Sequence, residues 1–180
     1  MLLILIGYLF ISLDALMSLG EGGMLLELPP DFLGYLLMSI GAGKLQEESR
    51  FFQKGKGFGY MAAGVSGFLF LLRLLSLSYA PMSVLISLEV AELVLMAVNV
   101  YLLISGLREL EQTKQLKLHG KTMWWLWIGL IVVMAVAYPG QMFPVIANIT
   151  SLAMDLLCLI LFVFFYMAHQ ALQEAREEQE

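Results

Sequence analysis

The sequence predicts an all-α membrane protein with six transmembrane helices, arranged as three tandem hairpins with both termini in the cytoplasm. Three observations lead to this prediction. Of the 180 residues, 60% are apolar, and the mean hydropathy of +0.83 is far above that of soluble domains. The apolar residues form six long segments. The basic residues are concentrated in alternate connections between those segments.

The predicted spans all lie within a single transmembrane domain, residues 1–180, which ends in a polar cytoplasmic tail at 171–180. The start of the chain has no basic region and no small-residue cleavage site after its apolar run, which predicts a retained first span instead of a signal peptide. Crossing a hydrocarbon core of about 30 Å takes about 20 residues, so segments two and five are short. In order, the spans are residues 2–18, 30–45, 58–79, 82–106, 123–138 and 145–168.

The second segment has a clear start signal. It follows two prolines, which are tolerated at the first position of a helix, and Asp31 complements the positive end of the helix dipole. Because the segment is short, a re-entrant or interfacial helix is the alternative to a full span.

Basic residues set the predicted orientation. Eight of the ten Lys and Arg residues lie between segments two and three or between segments four and five. None lies at 19–29, 80–81 or 139–144, so the positive-inside rule places both termini in the cytoplasm of a bacterium, with the chain as a multi-pass protein of its inner membrane. All five prolines then lie at outer turns: Pro29, Pro30, Pro81, Pro139 and Pro144.

Ionisable residues inside the apolar segments are the main functional signal. Arg73 interrupts the third segment, and Glu89 and Glu92 interrupt the fourth. An ionised group in hydrocarbon costs from about 2.5 to more than about 10 kcal/mol, so each needs a partner, water or a proton. Arg73 and Glu89 lie at matching depth on adjacent segments, about 10 Å from the outer turn, which predicts a hydrogen-bonded ion pair.

Two segments also carry a polar stripe at helical spacing. The fourth has polar residues or methionine at positions 89, 92, 96 and 99, and the sixth has polar residues or cysteine at 148, 151, 155 and 158. The first segment adds another carboxyl group. The residues predicted to bind a ligand or a proton are Asp14, Arg73, Glu89, Glu92, Asn99, Asn148, Ser151 and Asp155.

These residues predict an outward-facing polar cavity that binds or transports a small cationic or polar solute, with Glu92 or Asp155 as a proton-coupling group. The structural alternative is that Arg73 and Glu89 form a buried clamp, while the other acids are protonated or hydrogen-bonded between helices. A different class of function is a non-transporting membrane protein that docks another protein. Its docking residues would be the basic ones of the inner connections, Lys114, Lys117 and Lys121.

Other chemistry has little support. An enzyme is less favoured because no nucleophile–base pair and no metal constellation is visible. Cys158 is the single cysteine, and His119 and His169 are far apart, so neither a metal nor another cofactor is expected. The acids form no single field, and nucleic acid is not an expected ligand. The small residues Gly59, Ala63 and Gly67 predict close helix packing. Three tryptophans after Lys121 predict an aromatic belt at the membrane surface.

The stretch from Leu28 to Ser49 contains Pro30-Asp31-Phe32 followed by Gly34-Tyr35. It resembles small uncharacterised membrane proteins of Gram-positive bacteria that carry a comparable segment after an opening apolar helix. The similarity covers about the first third of the chain and implies no activity. In size and helix number alone, the chain is also similar to the substrate-binding membrane subunits of energy-coupling-factor vitamin transporters, which is an analogy of shape.

Overall fold

The computed structural model describes residues 1–17, 30–74, 82–140 and 143–177. Within these ranges all regular secondary structure is helical, which confirms the predicted all-α fold and its six helices. In chain order the helices are α1 (Leu2–Met17), α2 (Asp31–Gly43), α3 (Arg50–Leu74), α4 (Met82–Lys114), α5 (Gly120–Gly140) and α6 (Pro144–Glu177).

Four of the helices, α3 to α6, are long and apolar enough to cross a membrane, which indicates a multi-pass membrane protein. Helices α1 and α2 are apolar but have only 16 and 13 residues. The fifth apolar segment lies within α5, a helix of 21 residues that begins before the apolar run, at Gly120, and continues through Pro139.

The helices extend beyond the predicted spans into polar sequence. Helix α3 begins at Arg50, and α4 continues to Lys114. Helix α6 runs to Glu177, so most of the predicted polar tail is helical. The added residues are rich in Glu, Gln, Lys and Arg, which favour helix and are soluble outside the hydrocarbon, so the helices continue past the point where hydrophobicity stops.

The described contacts divide the chain into two compact units, Met1–Leu103 and Ile104–Glu180. In the first unit α1 packs on α2 through glycines. A β-carbon on Gly34 would lie 2.7 Å from the carbonyl oxygen of Gly7, and one on Gly41 would lie 2.8 Å from the backbone nitrogen of Ile4. The two backbones are therefore in direct contact, which is possible only without side chains at these positions.

Helix α2 also packs on α3, along the face that carries the small residues. Gly59 and Ala63 are buried there, and a β-carbon on Gly67 would lie 3.7 Å from Phe32 of α2. The rings of Phe32 and Phe70 lie 5.7 Å apart. The prediction that this row of small residues serves helix packing is confirmed.

In the second unit α5 packs on α6, with Gly129 of α5 against the side chain of Leu157. Leu161 and Phe165 of α6 are fully buried, whereas Ile149 and Leu152 are more than half exposed. Helix α6 therefore has one face against protein and one apolar face open to its surroundings, as a helix in contact with lipid would have.

Candidate functional site

The polar stripe of α4 faces the helices α2 and α3 of the first unit. Its first member, Glu89, contacts Arg73 of α3. Its second carboxylate, Glu92, interacts with Tyr35 of α2. Asn99, at the far end of the stripe, lies against α3. Two members of the stripe predicted from helical spacing, Glu89 and Asn99, therefore both contact α3.

Arg73 and Glu89 form the predicted ion pair. A guanidinium nitrogen, Nη2 of Arg73, donates a hydrogen bond to Oε1 of Glu89 at 3.2 Å. The two side chains are 47% and 54% exposed in the isolated chain, so the pair is not the buried clamp of the structural alternative. The pair joins α3 to α4 and leaves both charged groups accessible to their surroundings.

A second polar group surrounds Tyr35, which is 2% exposed. The negative charges of Glu92 and Asp31 both act on its hydroxyl group. Asp31 lies one turn before Tyr35 on α2, and Glu92 lies on α4.

Asn99 is the most deeply buried polar residue of the stripe, with 1% of its surface exposed. Neither its Oδ1 nor its Nδ2 has a hydrogen-bond partner among the described residues. The amide lies beside two glycines of α3: a β-carbon on Gly59 would be 3.1 Å from Nδ2, and one on Gly55 would be 3.7 Å from Oδ1. Burying an amide without hydrogen bonds costs about 2 kcal/mol or more.

Gly59 brings a third helix to the same place. A β-carbon on Gly59 would collide with the hydroxyl oxygen of Ser39 on α2. Ser39 is fully buried, and its hydroxyl donates to the carbonyl oxygen of Tyr35 at 2.8 Å. The absence of a side chain at 59 thus allows Ser39 and Asn99 to approach α3 from two directions.

The sequence interpretation missed Tyr35 and Ser39 as members of this group. Together with Asp31 they are spaced i, i+4 and i+8, so they share one face of a short and otherwise apolar helix. That spacing was the available signal.

The stripe of α6 lies in the second unit, and its residues differ in how far they are exposed. Asn148 is exposed, Ser151 is half-buried, and Asp155 is 8% exposed. Oδ2 of Asp155 has no hydrogen-bond partner among the described residues. Helix α5, on which α6 packs, has no titratable side chain from Thr122 to Ala137. Asp155 is thus a buried carboxyl group on a helix whose neighbour is apolar.

The remaining predicted site residue, Asp14, has a side chain outside the described part of the structure. Of the eight predicted residues, the structure joins Arg73 to Glu89 and places Asn99 against α3. Convergence of Asp14 and Asp155 on the same site stays a prediction. Among the described residues no group of three or more His, Cys, Asp or Glu side chains is arranged to hold a metal ion.

The connection from α4 to α5 is folded and is stabilised by contacts within the second unit. Gln115 and His119 have φ angles of 53° and 56°, in the left-handed region. The backbone N–H of Gly120 donates to Oε2 of Glu111 at 3.0 Å, so a carboxylate caps the first turn of α5. Leu118 is fully buried between these residues.

Aromatic contacts fix the two sides of this connection. The guanidinium carbon of Arg108 lies 5.7 Å from the centre of the Trp124 ring, which is within cation–π range. The rings of His119 and Phe164 of α6 meet edge to face at 5.6 Å. His119 therefore has a packing role in this connection.

No family model matches the chain, and no curated protein and no solved structure matches it either. The function proposed below therefore depends on the residues of this chain alone.

Proposed function

We propose that this protein binds or transports a small cationic or polar solute at the polar face of α4. The solute contacts Asn99 and Glu92, with Tyr35 and Ser39 of α2 as further polar groups. In this proposal the site opens to the outside of the cell.

The observation that carries the proposal is the environment of Asn99. Its amide is almost fully buried, and both of its polar atoms are without hydrogen-bond partners in the described residues. Interhelical packing alone would be served as well by an apolar side chain, which would avoid the cost of burying an amide. A solute with a donor and an acceptor satisfies both atoms and offsets that cost.

Charge favours a cation or a polar molecule over an anion. The negative charge of Glu92, two helical turns from Asn99 along α4, acts on the Tyr35 hydroxyl group, and so does that of Asp31 on α2. Arg73 is engaged with Glu89. Negative charge from two helices near a buried hydroxyl group and an amide attracts a cation and disfavours an anion.

The proposal includes the topology that such a site needs. The helices form three tandem hairpins with both termini in the cytoplasm of a bacterial cell, because the basic residues lie in the connections from α2 to α3 and from α4 to α5. The antiparallel contacts of α3 with α4, from Gly55 and Asn99 at one end to Arg73 and Glu89 at the other, support the middle hairpin. In this orientation Arg73 and Glu89 lie on the outer side of Asn99.

The test is thermal unfolding of the purified full chain in detergent, with choline as a small organic cation and glutamine as a neutral polar solute. A solute at about 100 times its dissociation constant stabilises the protein by about 2.7 kcal/mol. We expect the stabilisation to disappear in Asn99→Leu and in Glu92→Gln. Ser87→Ala is the matched control, because Ser87 is exposed on α4 and bonds only the carbonyl oxygen of Ser83.

If a solute stabilised the wild-type chain and the variants Asn99→Leu and Glu92→Gln equally, the solute would bind elsewhere in the protein. Full response in Glu92→Gln alone would contradict the assignment of this carboxyl group to the site. Loss of response in Ser87→Ala would show that the effect is not specific to the polar face.

A further inference from the structure

We propose that the connection between α4 and α5 is a preformed binding surface for the headgroups of anionic lipids. We call residues 112–127 the basic connection. Its charge comes from Lys114, Lys117 and Lys121, and Trp125 is its most exposed aromatic residue. None of its residues belongs to the polar face of α4, so this proposal stands apart from the solute site.

The charge of the basic connection is all positive. All three lysines are exposed, and the chain contains no Asp or Glu between Glu111 and Asp155. Lys117 and Lys121 form no ion pair with any residue that the structure describes. Exposed ammonium groups without acidic partners attract a phosphate-bearing surface, and each basic residue near such a surface strengthens binding roughly fivefold.

The surface is fixed before any lipid binds. Glu111 caps Gly120, Leu118 is fully buried, and the His119 ring packs against Phe164. The backbone at Lys117 and Lys121 is therefore held by neighbours on both sides. A partner that binds a fixed loop does not have to order it, which leaves more of the electrostatic attraction as affinity.

The position of the connection favours lipid over a protein partner. It joins two helices that are long and apolar enough to cross a membrane, so it follows directly on membrane-crossing segments. The Trp125 ring is 60% exposed and packs edge to face on Trp124 at 5.3 Å. Tryptophan is enriched at the level of lipid headgroups, whereas lysine is depleted from protein interfaces.

The chain offers a direct spectroscopic test, because all three of its tryptophans lie in the basic connection. The full chain is reconstituted in phosphatidylcholine vesicles that contain phosphatidylglycerol, with bromine placed on the acyl chains of one lipid or the other. We expect brominated phosphatidylglycerol to quench tryptophan fluorescence more than its share of the lipid predicts. The excess should fall as salt is added, because salt screens the attraction.

The double variant Lys117→Gln with Lys121→Gln should lose this preference for phosphatidylglycerol. The matched control is Lys44→Gln with Lys54→Gln, which removes two exposed lysines from the start of α3 and the connection before it. The control should keep the preference of the wild-type chain. Because the readout is fluorescence, it does not depend on whether the α4 site binds a solute.

Equal quenching of the wild-type chain by both brominated lipids would overturn the proposal. The proposal would also be overturned if the double variant Lys117→Gln with Lys121→Gln kept the preference for phosphatidylglycerol. The same holds if the control variant, Lys44→Gln with Lys54→Gln, lost the preference to the same extent. Capture of a cytoplasmic protein through Lys117 and Lys121 without any lipid preference would also overturn it, in favour of a protein-docking surface.

Discussion

The guanidinium group of Arg73 on α3 donates a hydrogen bond to the carboxylate of Glu89 on α4 at 3.2 Å. Two helices that are long and apolar enough to cross a membrane are thus joined by opposite charges that neutralise each other. About half of each side chain is exposed in the isolated chain. The pair therefore tethers the helices without being sealed between them.

The proposed outward-facing site exposes this pair to water, where ion pairs contribute little to stability, so we expect a double-mutant cycle of Arg73→Gln and Glu89→Gln in detergent to give a coupling energy below about 1 kcal/mol. The measurement is the free energy of unfolding of the four proteins. A coupling of several kcal/mol would contradict the half-exposed geometry and would indicate a pair that is shielded from solvent.

Gly59→Ala should destabilise the protein by about 1 to 3 kcal/mol, because the new β-carbon would collide with the Ser39 hydroxyl group. Gly55→Ala is the matched control one turn earlier, where a β-carbon meets its nearest neighbour, Leu103, at an ordinary 3.6 Å. The measurement is thermal unfolding of the two variants and the wild-type chain in detergent. Equal stability of the two variants would show that α2 and α3 can move apart at Gly59 without cost.

The variant Asn99→Cys should react with a small water-soluble thiol reagent if the polar face is hydrated. In a Cys158→Ser background, we expect this variant to be modified in membranes, more slowly than Lys117→Cys in the exposed connection. Val94→Cys, on the exposed apolar side of α4, should stay unmodified because thiolates do not form in lipid. If Asn99→Cys stays unreactive while Lys117→Cys reacts, the surroundings of Asn99 are dry, which would contradict the solute site.

Glu111→Ala should lower stability by about 1 kcal/mol, because the backbone N–H of Gly120 loses its carboxylate acceptor at the first turn of α5. Gln112→Ala, at the exposed next position of α4, should have little effect. The measurement is thermal unfolding in detergent. If the two variants unfolded alike, Glu111 would have no capping role.

The helices and one of their contacts could be predicted from the sequence. In hydrocarbon every backbone polar group must be hydrogen-bonded within the chain, so long apolar runs have to be helices. Matched depth on neighbouring segments then places Arg73 opposite Glu89. Both inferences need only helix geometry and the order of the segments.

The environment of Asn99 could not be predicted in the same way. It depends on which helices face α4 and on the glycines at 55 and 59, and local periodicity does not specify the packing partner of a helix. The fold of the α4–α5 connection could not be predicted from the sequence either. Gln115 and His119 take left-handed conformations without being glycine, so the sequence carries no turn signal there.

The 13 residues of α2 have a consequence for the bilayer itself. At about 1.5 Å per residue this helix is about 20 Å long, roughly 10 Å less than the hydrocarbon thickness of a typical membrane. If α2 crosses, the surrounding lipid has to compress beside it, and this hydrophobic mismatch is smaller when the acyl chains are short. The protein should then distribute toward thin regions of a membrane and unfold more readily in thick ones.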